Sequence, residues 1–91
     1  MSEAGKANLR IDRLLVYLRF ARTRSAARAM IEDGSLRLNR QHVQRVSETV
    51  AIGDVLTLMV GNEVLVIEVC DLPSRRLSPA GARSQYRELD P

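Results

Sequence analysis

Ninety-one residues suffice for one domain with a thin core and leave no room for a separate catalytic domain. That core must be aliphatic, since Tyr17, Phe20 and Tyr86 are the only aromatics, and no stretch approaches the ~20 uninterrupted apolar residues of a membrane helix. The formal charge of +3 hides a segregation: from Arg10 to Arg45 nine arginines face three acids, a net of +6, whereas from Val46 to Pro91 four arginines face seven acids, a net of −3, so only the first half suits a polyanion.

In chain order, residues 1–8 are small, polar and aperiodic, and predict a disordered leader without the basic-then-apolar layout of a signal peptide, so a cytoplasmic location is expected. Asp12 is an acceptable N-cap for a first helix, whose Leu14, Leu15 and Leu18 fall on one stripe with Arg13 and Arg19 off it. A second, short helix follows Thr23 or Ser25 as N-cap, turns Ala27, Met30 and Ile31 inward, and ends at Gly34. After Gly34 the apolar period drops to two: Leu36 and Leu38 alternate with Ser35, Arg37 and Asn39, then a turn at Asn39-Arg40 leads into His42, Val43 and Gln44. Residues 50–54 read as a turn, followed by a second hairpin, 55–60 and 63–69, reversing at Gly61-Asn62. Cys70 closes this apolar run and is expected to be a buried thiol; alone, it can form neither an internal disulfide nor a structural zinc site. The compact body is expected to span residues 9–72, and a C-terminal extension, 73–91, to carry a marginal helix starting at Ser78-Pro79. These elements predict an α+β fold, two N-terminal helices on a small, mostly antiparallel sheet with the extension laid over it.

The segment Arg22-Thr23-Arg24-Ser25-Ala26-Ala27-Arg28 concentrates the chemistry. Free N–H groups at a helix start, two hydroxyls and three arginines can together hold phosphate, and Arg24 and Arg28, four apart, share a helical face. Arg10 and Arg13 are expected to flank the first helix, with Arg37, Arg40 and Arg45 projecting from the hairpin beside it. His42 lacks carboxylate or cysteine company, which predicts a surface residue of the hairpin and neither catalysis nor a metal site. No cofactor-binding motif is present, and no enzymatic activity is expected.

Arg10-Ile11-Asp12, Thr23-Arg24-Ser25, Ile31-Glu32-Asp33-Gly34, Leu36-Arg37-Leu38-Asn39 and Gly53-Asp54-Val55 follow one another in an order that resembles the S-four domain, named after the fourth small-subunit ribosomal protein. The likeness covers about residues 9–59 and implies two helices packed on a small sheet that bind RNA together with the adjoining hairpin. It extends RNA contact to Arg10, Arg13, Thr23, Arg24, Ser25, Arg28, Arg37 and Asn39. Arg19-Phe20 ahead of Arg22-Thr23-Arg24, the Gly61-Asn62-Glu63 turn, and Arg75-Arg76 with Tyr86 downstream are similar to the bacterial heat-shock family of fifteen kilodaltons, although Arg40 stands in place of that family's turn glycine. This resemblance implies binding to large ribosomal subunits that still hold a nascent chain on tRNA, and a role in recycling them.

The expected partner is therefore structured RNA, rRNA of the large subunit or tRNA, with weak attraction to duplex DNA, no membrane contact and a monomeric state. Phosphate contacts would supply affinity and RNA shape selectivity. With so few aromatics, base stacking is expected to contribute little. A detached recognition domain of an RNA-modifying enzyme and a protein-interaction module using a sheet edge are the alternatives.

Overall fold

The computed structural model describes residues 8–89. In chain order it contains β1 (Asn8–Arg10), α1 (Ile11–Tyr17), α2 (Arg24–Glu32), β2 (Leu36–Leu38), β3 (Gln41–His42), β4 (Thr49–Ala51), β5 (Val55–Val60), β6 (Glu63–Val69), α3 (Pro79–Arg83) and β7 (Tyr86–Leu89). Five strands form one sheet in the order β3-β2-β5-β6-β7, every neighbouring pair antiparallel, and β1 pairs with β4 in a second, two-stranded sheet. This is the α+β architecture expected, with the sheet wholly antiparallel.

The apolar stripes close one core. Ile11, Leu14, Leu15 and Leu18 from α1 and Ala27 and Ile31 from α2 are buried with Leu36, Leu56, Leu58, Ile67 and Val69 of the large sheet. Both helices end in the same motif. In α2, the N–H of Gly34 donates to Ile31 O (3.2 Å) and that of Ser35 to Met30 O (3.1 Å), with Gly34 at φ +80°; in α1, Arg19 donates to Val16 O (3.0 Å) and Phe20 to Leu15 O (2.8 Å), with Arg19 at φ +69°. These are Schellman ends, whose left-handed residue is usually glycine. In the first hairpin both turn residues, Asn39 (φ +50°) and Arg40 (φ +75°), take the positive φ of a primed two-residue turn. Arg40 thus occupies a conformation that favours glycine.

Five expectations are corrected. Arg10, not Asp12, precedes the first helical residue: β1 extends to Arg10, opposite Thr49, and the Ile11 N–H donates to Glu48 O at 2.7 Å, so the helix starts where the strand ends and Asp12 lies inside its first turn. Val50 and Ala51, the first two residues of the presumed turn, instead belong to the strand β4, paired with β1 because the two short segments satisfy each other's backbone groups. Asn8, the last residue of the expected leader, belongs to β1, while residues 1–7 lie outside the described residues. Cys70 is exposed: side chains alternate along β6, Ile67 and Val69 point into the core, and Cys70 shares the parity of Glu68. The folded body also continues past residue 72. The helix at Pro79 forms as expected, Ser78 Oγ accepting from Gly81 N (3.1 Å), but Tyr86–Leu89 then adds an edge strand to β6 in place of a loose overlay. Among the described residues no helix is long and apolar enough to cross a membrane.

Candidate nucleic-acid interface

The start of α2 is organised by its cap. Thr23, with extended backbone, accepts from Ala26 N through Oγ1 (3.1 Å) and from Ala27 N through its carbonyl (3.0 Å). The N–H groups of Arg24 and Ser25 in the same turn have no helical partner. Thr23 is the cap, and Ser25 lies exposed within the first turn.

Beside that turn lies the one buried charged side chain among the described residues, Asp12, only 3% exposed. Its Oδ1 accepts from Arg10 Nε (3.2 Å) and Arg13 N (2.9 Å), and its Oδ2 from Arg10 Nη2 (3.1 Å) and Arg24 Nη2 (3.2 Å). One carboxylate from α1 therefore grips guanidinium groups at the ends of β1 and α2, an arrangement stronger than neutral hydrogen bonding. Burial pushes the Asp12 carboxyl up, but the hydrogen bonds from Arg10 and Arg24, the Arg10 charge and the Arg13 N–H outweigh it and hold the group below the usual carboxylate range. The Arg10 and Arg24 side chains stay 37% and 58% exposed, so both present remaining N–H groups to solvent. Asp12, Arg24, Ser25 and Arg28 line one shallow depression on this face.

The remaining ion pair among the described residues joins Arg87 to Glu68, so Arg13, Arg22, Arg28, Arg37, Arg40 and Arg45 enter none there. They do not form one patch. Leu36 faces the helices, so the intervening parity turns Arg37 to the opposite face of the sheet, where it lines a depression with Met59 and Val64. Arg40 shares that outer face, beside Val55, Thr57 and Val66. Arg45 sits in the exposed loop leading to β4. The expected cluster thus divides into a helix-side group, Arg10, Arg24 and Arg28 with Thr23 and Ser25, and a hairpin group, Arg37 and Arg40.

Asn39 is engaged within the protein. Its Oδ1 accepts from Val55 N (2.9 Å) and its Nδ2 donates to Asp54 Oδ1 (3.2 Å), while Asp54 Oδ2 accepts from Ala51 N (2.9 Å). These bonds tie the hairpin tip to the turn before β5, which makes Asn39 a positioning residue for Arg40. His42 is exposed on β3, opposite Arg37. Sequence reasoning missed Asp12 as an organiser; the signal was an acid two residues from Arg10 and alone among five arginines before Arg28.

Residues 9–56, over half of the chain, match the S4 domain. The chain belongs to the S4 domain family. S4-domain relatives match it almost end to end: a Heat shock protein 15 homolog of Haemophilus influenzae is 38% identical over 86 residues, 94% of this chain and 65% of the relative, and Heat shock protein 15 of Escherichia coli K12 is 33% identical over 88 residues, 97% of this chain and 65% of the relative. The chain therefore spans just under two thirds of the length of these relatives. Among solved structures, Vibrio cholerae Heat Shock Protein 15 superposes with a TM-score of 0.85 at 34% identity, covering 91% of this chain and 83% of that one. That S4-domain structure is described as trimeric, which does not fit the monomer expected from the sequence.

Proposed function

We propose that this chain binds structured RNA without turnover, and that its target is rRNA of the large ribosomal subunit, including subunits that retain a nascent chain on tRNA, in a stress-linked recycling role in the cytoplasm. The observation that carries the RNA reading is the Asp12-anchored pair Arg10 and Arg24, set beside the capped start of α2 with Arg28 on the same side. Two guanidinium groups held by a buried carboxylate, next to free backbone N–H groups, make a preorganised phosphate cradle. Membership of the S4 family and likeness to Heat shock protein 15 support the ribosomal target. Arg13 and Arg22 extend the helix-side surface, and Arg37, Arg40 and Arg45 add contacts where the RNA wraps past the hairpin. Duplex DNA would be held more weakly, through charge alone.

Titration of a fluorescent large-subunit rRNA hairpin at several salt concentrations tests this reading. With about five arginines on phosphates, log affinity should fall against log salt with a slope of roughly −3 to −5, and duplex DNA of equal charge should compete poorly. A flat salt dependence, or equal competition by DNA, would reject it.

Self-association is a second reading, favoured by the exposed Ile52, Met59, Val60 and Val64 and by the trimeric relative. Light scattering with and without RNA decides it.

A further inference from the structure

Arg19, Phe20, Arg83 and Tyr86 have no part in the helix-side cradle, yet the fold brings them together. With Leu18, Pro79 and Ala82 they line an open cleft of about 270 Å³ between the loop after α1 and the C-terminal segment. Small-molecule sites run from roughly 300 Å³ upward, so the cleft matches a single small group and not a helix or a duplex.

Its construction departs from what stability alone would select. Arg19 occupies the left-handed position of a Schellman end that in α2 is filled by Gly34, and a side chain there is strained by the approach of its Cβ to the following carbonyl oxygen. The Arg19 side chain is fixed by a bond from Nη1 to Leu77 O (3.2 Å), and Leu77 N in turn donates to Tyr17 O (3.2 Å), so the end of α1 and the C-terminal segment are latched to each other. Two of the chain's three aromatics meet here: the rings of Phe20 and Tyr86 lie 5.3 Å apart between centroids, tilted by 45°. They are in contact, so a flat ligand would lie across their exposed edges and not between them. Burial and the Glu88 charge push the Tyr86 hydroxyl up while Arg83 pulls it down, which leaves a neutral phenol within reach of the Arg83 charge.

Two guanidinium groups bordering an aromatic pair are suited to a planar base joined to a phosphate. The cleft also adjoins the phosphate cradle along the chain: Phe20 and Arg24 are four residues apart, at most about 14 Å even if fully extended. One RNA strand can reach both.

We propose that this cleft binds a single unpaired nucleotide of the RNA, its base lying against Phe20 and Tyr86 and its phosphate between Arg19 and Arg83. The proposal rests on the RNA-binding reading above. It gives the C-terminal segment a recognition role and makes the protein prefer helices interrupted by an unpaired base.

The test compares a fully paired RNA hairpin with hairpins carrying one unpaired 2-aminopurine, as a bulge or as a 3′ overhang, and with the same hairpins made abasic at that position. The full-length chain should bind at least one of the 2-aminopurine RNAs roughly five-fold or more tightly than the paired hairpin, with quenching of the base, and the abasic version should lose the gain. Arg83→Ala, at an exposed position, and Tyr86→Leu, which keeps apolar bulk, should abolish the gain while binding the paired hairpin as the parent does; Arg87→Ala, outside the cleft, should retain it. If no unpaired base improves binding, or if the gain survives Arg83→Ala combined with Tyr86→Leu, the cleft assignment is wrong while RNA binding stands. Failure to bind any of the RNAs would remove both.

Discussion

Replacing Asp12 by Asn should weaken RNA binding even though it makes the surface more positive. The carboxylate accepts three guanidinium hydrogen bonds, two from Arg10 and one from Arg24, and asparagine keeps the shape with a single carbonyl acceptor and no charge. Breaking a fully buried pair costs several kcal/mol because the survivor is left unpaired in the interior. Here the arginines are 37% and 58% exposed and can turn to water, so the expected loss of stability is smaller, about 1–2 kcal/mol. In binding, two arginines released from fixed positions must be ordered again on each encounter, at about 0.5–1.5 kcal/mol per side chain, which predicts roughly five- to 150-fold weaker affinity. Charge counting predicts the opposite sign. Fluorescence anisotropy with an rRNA hairpin, accompanied by a urea melt showing that the variant remains folded, separates the two; an unchanged or tighter Kd in folded Asp12→Asn would refute the positioning argument.

Acid should act through the same residue. Because the folded chain holds Asp12 below the ordinary carboxylate range, the unfolded chain takes up that proton first, so the Asp12 contribution to stability is full above that range and is lost as pH falls through the lowered folded value; urea midpoints measured down the acid range should fall less steeply for Asp12→Asn than for the parent. Thr23→Ala removes the acceptor for Ala26 N and should cost about 1 kcal/mol, seen as a lower Tm, with looser RNA binding because the N-terminal turn of α2 frays. Arg40→Gly relieves a positive φ and should leave stability equal or up to about 1 kcal/mol higher, while RNA affinity falls if Arg40 meets phosphate; a lower Tm would contradict the turn assignment. Asn39→Ala breaks two bonds that join the hairpin tip to the turn before β5, and should cost about 1–2 kcal/mol in a urea melt, with affinity changing no more than in Arg40→Gly.

The helices, both hairpins and the Ser78-Pro79 helix start were legible from the chain because their signals are local: a spacing of three or four, a change of period to two, a cap hydroxyl, a turn pair. So was the segregation of arginine into the first half, which is read directly from residue positions along the chain. What tertiary structure decided depends on partners distant in sequence. Asp12 reads locally as a helix cap and becomes the anchor of Arg24 only when α2 packs beside α1. Alternation puts Arg37 opposite Leu36, but only the packing of both helices on one face of the sheet removes it from the arginines of α2. The four residues of β7 carry too weak a pattern to stand out, and they become a strand because β6 offers an unpaired edge. That same closure sets Tyr86 against Phe20, 66 positions earlier in the chain. Local sequence can fix the type of the strongly patterned elements, whereas the short strands β1, β4 and β7 and the question of which side chains share a surface are settled by long-range packing, and the candidate RNA contacts lie at that second level.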